Sequence, residues 1–298
     1  MNDIGRVLTA MATPFDRNGE VDLRQATNLA RALLDSGSDG LVICGTTGES
    51  PTLSDKEKWS LFATVKKALG GRGAVIAGTG SYNTAESIRL TREAEEIGVD
   101  GILLVVPYYN KPSQEGLFRH FEAIARSTRL PVILYNVPSR TATNMTAETA
   151  IRLSRIPNIA GTKEASADLA QIARIIENTR DDFLVWSGND EDTLPILSIG
   201  GYGVVSVASH LVGTQIQEMV QAQLGGNSDR AAQIHRRLLP LVKSLFLVGN
   251  PAPLKYALNH IGFDVGSPRL PLVEPEEEIA EKIRAELARQ RIDIPVPV

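Results

Sequence analysis

Residues 98–104 read GVDGILL. A glycine, two residues, a second glycine and then an unbroken apolar run describe a helix that ends and a strand that begins within four residues. Glycine enters the left-handed conformation that closes a helix without the steric cost a Cβ imposes. The same arrangement stands at 37–43, GSDGLVI, and at 200–206, GGYGVVS. Each copy precedes a short apolar run, so the echo points to repeated strand–helix units and suggests an old duplication.

Outward from these three places, short β-branched runs alternate with amphipathic stretches of helical length. Strands are expected at 7–11, 41–44, 74–77, 102–106, 132–135, 159–163, 183–187 and 204–207. Helices are expected between them, among others at 23–36, 55–69, 84–96, 114–127, 147–154 and 169–178. Strands this apolar, separated by helical crossovers, belong to a parallel sheet covered by helices. About eight such units in roughly 220 residues is the count of an α/β protein of the (β/α)8 TIM-barrel class, and not of a doubly wound sheet. Past residue 224 only helical patterns follow, broken by glycine and proline. The expected organisation is therefore a catalytic barrel over 1–224 and a small C-terminal helical extension over 225–298. The apolar face at 238–247 is expected to pack on the barrel or on a neighbouring subunit.

The 298 residues are 43% hydrophobic and 22% charged, with a net charge of -4, which is ordinary globular usage. The basic doublets Lys66-Lys67 and Arg236-Arg237 are isolated, so nothing argues for nucleic acid or an anionic membrane. No apolar run approaches a membrane span. The single cysteine, Cys44, excludes an intrachain disulfide and reads as a buried small residue. MNDIGRV lacks the basic-then-apolar layout of a signal peptide, so a cytoplasmic location is expected.

A barrel gathers its functional groups at the C-terminal ends of its strands. Here those ends read TATPF, GTTGES, GTGS, VPYYNKP, YNVPSR, GTKEAS, SGND and SVASH. They are rich in hydroxyls and hold no carboxylate cluster. The four histidines lack ligand spacing, so no metal is expected. Lys163 closes the strand NIAGTK. Directed into the barrel it would be desolvated, which favours the neutral amine that attacks a carbonyl to form a Schiff base. A solvated ion pair with Glu164 is the competing reading, and the residues alone leave both open. Tyr135 ends the preceding strand, where its phenol could relay protons beside the lysine. Arg140 offers a bidentate carboxylate clamp. GTTGES, at 45–50, lacks the Gly-Lys ending of a phosphate-binding loop, and its hydroxyls and backbone N–H groups better suit a small carboxylate.

GTTGES, PYYNKPSQEGL, YNVPSRT, GTKEAS and SGND, in this order and spacing, resemble the dihydrodipicolinate synthase family of the N-acetylneuraminate lyase, or Schiff-base aldolase, superfamily. The resemblance runs from GRVLTAMATPF to NPAPLKYAL. It implies a Schiff base between Lys163 and pyruvate, condensation with L-aspartate 4-semialdehyde, and a role in lysine and diaminopimelate biosynthesis. It implies a proton relay of Thr46, Tyr135 and Tyr109, the last supplied by an adjacent subunit of a homotetramer built as a dimer of dimers. Thr47 would hold the pyruvate carboxylate and Arg140 that of the semialdehyde, while Gly188 and Val205 would line the pocket through main-chain atoms. No cofactor is implied. The retained Arg140 favours this activity over a related class I lyase acting on N-acetylneuraminate or a 2-keto-3-deoxy sugar acid. A catalytically silent keto-acid sensor, the reading from another class, would be expected to lose the lysine or the relay hydroxyls.

The resemblance also implies a candidate allosteric site for lysine, to which Ser50, Glu86 and Tyr108 correspond. Asp55 and Lys58 stand where lysine-sensitive relatives commonly carry histidines, and Tyr82 replaces an asparagine. A cation at Lys58 opposes a bound ammonium by about 1 kcal/mol at ~4 Å even in water, so weak or absent inhibition is expected.

Overall fold

The computed structural model describes residues 4–296. Eight parallel strands close into a barrel in sequence order, and the first pairs with the last. They are β1 (Val7–Ala10), β2 (Gly40–Ile43), β3 (Ala74–Gly78), β4 (Gly101–Val105), β5 (Val132–Asn136), β6 (Ile159–Glu164), β7 (Leu184–Ser187) and β8 (Gly203–Ser206). The (β/α)8 class read from the sequence is the fold observed, and every strand bound lies within one residue of expectation.

The one-residue shifts have a cause at the repeated glycines. β2, β4 and β8 begin at the second glycine because its backbone already sits in the ladder, Gly40 against Ala74, Gly101 against Ile76 and Gly203 against Trp186. The first glycines, Gly37, Gly98 and Gly200, all have positive φ. A Cβ on Gly203 would lie 2.0 Å from the carbonyl oxygen of Arg6 in the chain entering β1. The motif is therefore a helix stop followed by a close approach of two strands.

Around the barrel run α1 (Leu23–Asp35), α2 (Asp55–Leu69), α3 (Thr84–Ile97), α4 (Gln114–Ala125), the single turn α5 (Pro138–Thr141), α6 (Ala147–Leu153), α7 (Leu169–Asn178), α8 (Thr193–Ser198) and α9 (Ser209–Leu224). Side-chain caps start most of them. Ser54 and Glu57 form a reciprocal capping box at α2, and Asn83, Ser113, Thr146 and Asp168 cap α3, α4, α6 and α7. Each satisfies amide groups that the first helical turn leaves unbonded.

Strand alternation divides the apolar side chains into two sets. Leu8, Val42, Ile76, Leu103, Ile133 and Trp186 fill the barrel interior. Trp186 donates its indole N–H to the Gly5 carbonyl at 3.0 Å and so helps to close the N-terminal end. Leu41, Ile43, Val75, Leu104 and Leu134 face outward into a second cluster under the helices. That cluster continues into the last helices, α10 (Ser228–Ser244), α11 (Ala252–His260) and α12 (Glu277–Ala288), through Ile234, Leu238, Leu241, Leu258 and Ile283. Within 238–247, Leu238, Leu241 and Leu245 are buried while Phe246 and Leu247 are exposed. The end of the chain returns to α9, where the Asp293 amide donates to the Leu211 carbonyl at 2.7 Å.

Gly203→Ala tests the strand approach. Backbone atoms cannot yield as a flexible side chain does, so the added methyl should destabilise the protein by about 3 kcal/mol. Denaturant melts should show a lower midpoint, and an unchanged midpoint would contradict this account.

Candidate active site

At the C-terminal end of the barrel lies a cavity of about 220 Å³ whose walls include Thr46, Ser50, Tyr108, Tyr135 and Arg140. A larger hollow of about 700 Å³ lies at the opposite end, lined by Arg6, Asp39, Arg72 and Gly73 near the strand starts. It contains none of the reactive groups, and barrel chemistry belongs to the other face.

β5 and β6 bring two of the expected residues together. Tyr135 and Lys163 are direct partners in the parallel ladder. The lysine is only 6% exposed, and its Nζ stands 4.1 Å from the centre of the Tyr135 ring. Gly188 leaves the space for it, since a Cβ there would come within 3.1 Å of Lys163 Cε and 2.8 Å of the Ala165 methyl. Val205 is buried in the interior cluster that also holds Tyr135.

Glu164 points the other way, and the lysine–glutamate pair does not form. Its carboxylate accepts from Asn136 Nδ2 at 3.2 Å and from Ser166 Oγ at 2.9 Å. Burial pushes it up to about 7, against the pull of these two hydrogen bonds. Asn136 continues outward to Asn144 and the Met145 carbonyl. The strand that aims Lys163 inward is thus anchored on its outer face by an amide network.

A second buried carboxylate, Asp190, ties the loops after β7 and β8. It accepts from Ser206 Oγ, from the Val207 amide at 2.9 Å and from the Ala208 amide at 3.2 Å. Burial raises its affinity for a proton, while these donors and the nearby Lys163 oppose the rise. His210 links the loops after β8 and β1: Nε2 accepts from the Ala12 amide at 3.1 Å and Nδ1 lies 2.8 Å from the Val207 carbonyl. Burial lowers its pKa to about 4, consistent with a neutral ring bridging the two loops.

The GTTGES loop follows β2 through a left-handed Cys44, whose thiol burial pushes up to about 12. Thr46 faces the cavity. Thr47 is 2% exposed, and its Oγ1 accepts from Asn250 Nδ2 at 2.9 Å. Glu49 is also left-handed and buried, with its carboxylate 2.7 Å from Lys255 Nζ and accepting from the Arg269 amide at 2.9 Å. Thr13 Oγ1 donates to the Gly48 carbonyl at 2.7 Å. Arg140 lies in α5 at the rim, its guanidinium in no ion pair among the described residues. Tyr109 is the residue not brought in: it has positive φ and is 90% exposed.

The candidate allosteric residues are in one neighbourhood. Ser50 and Tyr108 share the cavity wall, and Tyr108 stacks edge-on against Tyr82 with centroids 5.1 Å apart. Burial raises the Tyr108 phenol, with Tyr82 and Glu86 adding to the effect. Glu86 accepts from Ser81 Oγ at 2.9 Å. Asp55 is paired with Arg89 at 2.7 Å, and Lys58 makes no ion pair among the described residues.

Asn250, Lys255 and Asp190 are site residues that sequence reasoning missed. Lys255 carried a signal, since it stands on the apolar face of α11 three residues from both Ala252 and Leu258. A lysine there needs a buried partner. Asp190 lay in plain view in SGND, but its partners come from the next strand.

The model of the Dihydrodipicolinate synthetase family matches residues 3–290. The chain belongs to this family. A 4-hydroxy-tetrahydrodipicolinate synthase of Dehalococcoides mccartyi is 61% identical over 296 residues, 99% of this chain and 100% of that one. Among solved structures of the family, dihydrodipicolinate synthase from Bacillus anthracis superposes with a TM-score of 0.95 at 48% identity, covering 97% of this chain and 99% of the other. A lysine-bound enzyme from Cyanidioschyzon merolae also gives 0.95 at 48% identity, over 96% and 98% of the two chains. Family membership and the (β/α)8 fold were both legible in the sequence.

Glu164 generates a pH prediction. Its folded pKa of about 7 lies above the ordinary carboxyl value of 4.5, so the folded state holds its proton longer than the unfolded chain. Its contribution is then greatest below pH 4.5 and is lost as pH rises to about 7, by on the order of 3 kcal/mol. Glu164→Gln should flatten that part of the stability profile and raise the melting temperature at pH 8 relative to the unsubstituted protein. Parallel profiles for the two proteins would contradict it.

Proposed function

We propose that the chain is a 4-hydroxy-tetrahydrodipicolinate synthase that condenses pyruvate with L-aspartate 4-semialdehyde through a Schiff base on Lys163, in lysine and diaminopimelate biosynthesis. The supporting observation is the Tyr135–Lys163 ladder pair, which sets a buried amine against a phenol at the edge of a small cavity. In this reading the neutral amine attacks the pyruvate carbonyl, and the carbinolamine loses water to give an imine. Loss of a methyl proton gives the enamine. Its carbon attacks the aldehyde, and the semialdehyde's own amine then displaces Lys163 as the ring closes. Each step moves protons, which Tyr135 and Thr46 would carry.

Thr47 would hold the pyruvate carboxylate and Arg140 that of the semialdehyde. The unpaired Arg140 guanidinium at the rim supports this, because an anion entering the cavity passes it. Gly188 and Val205 would line the pocket through main-chain atoms. Tyr109 completes the relay only from a second copy, which fits its exposure and supports a homotetramer of tight dimers. The barrel over 1–224 would supply the chemistry and residues 225–298 the frame around its mouth. A cytoplasmic location follows from the metabolic role, and no described helix is long and apolar enough to cross a membrane.

Borohydride reduction with pyruvate, followed by mass mapping, tests this function. The expected result is a single pyruvyl adduct on Lys163, abolished in Lys163→Ala; an adduct elsewhere, or none at saturating pyruvate, overturns it. Tyr135→Phe should still form the adduct but lower kcat by about 10²-fold or more. The lysine site yields a separate expectation. With Lys58 unpaired and Asp55 held by Arg89, lysine should inhibit weakly or not at all, and inhibition below 1 mM (on the order of -4 kcal/mol or tighter) would refute that.

A further inference from the structure

The substrate loop is fastened at two points by a segment about 200 residues away in sequence. Asn250 reaches Thr47 and Lys255 reaches Glu49, at 2.9 and 2.7 Å. Both side chains of the ion pair are 1% exposed, and Asn250 is 6% exposed. The Arg269 amide adds a third point on Glu49. Lys255 also lies 4.0 Å from the centre of the Phe15 ring and donates to the Ser267 carbonyl. This is more attachment than holding an ordinary turn requires, and one of its points is the Thr47 hydroxyl.

We propose that Asn250 is a positioning residue which holds the Thr47 hydroxyl as an acceptor and thereby turns its proton toward the carboxylate of the keto acid. The inference rests on the reading of Thr47 as the carboxylate-holding residue. A threonine hydroxyl has one proton and two lone pairs, and the proton rotates to suit its neighbours. An amide N–H directed at the oxygen occupies a lone pair and excludes that direction for the proton. The hydroxyl is then a committed donor before substrate arrives, so its orientation need not be reorganised on binding. Thr47 is buried, which removes the water that would otherwise compete for the proton. The buried Glu49–Lys255 pair fixes the distance across which Asn250 acts. Burial lowers Lys255 to about 8, and the facing Glu49 carboxylate resists the loss of its proton.

The opposite arrangement is chemically distinct. With its oxygen toward Thr47, Asn250 would draw the hydroxyl proton away from the cavity. Replacement by aspartate separates the two, because a carboxylate accepts and cannot donate.

The experiment measures pyruvate KM, semialdehyde KM and kcat at one pH for the unsubstituted enzyme, Asn250→Ala, Asn250→Asp, Thr47→Val and the Thr47→Val/Asn250→Ala double variant. Borohydride trapping and a thermal melt accompany each. Asn250→Ala should raise pyruvate KM about tenfold, leave the semialdehyde KM unchanged and hold kcat within about threefold, the pattern of lost ground-state binding. Asn250→Asp should raise pyruvate KM further, because a carboxylate beside Thr47 accepts its proton and repels the keto acid's carboxylate. The double variant should bind pyruvate no worse than Thr47→Val alone. Trapping on Lys163 in the unsubstituted enzyme together with an unmoved pyruvate KM in Asn250→Ala, or a pyruvate KM in Asn250→Asp no higher than in Asn250→Ala, overturns the proposal while leaving the Schiff-base function standing. Failure of trapping in the unsubstituted enzyme overturns both.

Discussion

A closed parallel barrel offers each strand residue only two directions, into the lumen or out beneath the helices, and adjacent residues take opposite ones. At the end of β6 this places Lys163 inside against Tyr135 and Glu164 outside against Asn136 and Ser166. Opposite charges that neighbour each other in sequence are thereby prevented from pairing. A one-residue slip of β6 would exchange them, leaving a carboxylate beside the phenol and the amine under the helices. The register is held by the ladder on both sides, Tyr135 against Lys163 and Lys163 against Trp186.

Much of the fold was readable because its determinants are local. Helix stops at Gly37, Gly98 and Gly200 and apolar runs after them depend only on backbone sterics and periodicity. Strand bounds moved by a residue where ladder pairing, a non-local property, admits a glycine that carries no apolar signal. In the site, Lys163 and Tyr135 were readable because consecutive strands must be neighbours. Asn250 and Lys255 were not, because nothing local says which loop a distant helix will meet. Tyr109 marks another boundary: the family resemblance suggested a relay, yet in one chain it stands in solvent, and its placement would be decided by a surface between copies.

The polar groups around the cavity differ in what they contribute. Surface pairs such as Arg119–Glu115 are exposed, and pairs of that kind contribute little. The Glu49–Lys255 pair is fully buried, where desolvation costs about as much as the attraction returns, so it is weak evidence for stability. Its value lies in selection among conformations. Glu49 occupies a left-handed backbone that a non-glycine residue adopts only when its surroundings impose it. The lysine, the Arg269 amide and the turn from the Glu49 amide to the Thr46 carbonyl at 3.0 Å together impose it.

That constraint connects the C-terminal helices to the chemistry without placing any of their groups on the reacting atoms. Residues 45–50 are held from two sides: Thr46 lines the cavity, while Thr47 accepts from Asn250 and Glu49 pairs with Lys255 of α11. A loop bonded only to its own barrel could tilt as a unit and carry both threonines with it. Fastening Thr47 and Glu49 from behind removes that motion and leaves Thr46 on a fixed base opposite Tyr135. The apolar cluster that joins α10 and α11 to the barrel keeps the fastening points in place. The helical extension is best understood as a wall behind the GTTGES loop, which its buried Lys255 and Asn250 meet at Glu49 and Thr47.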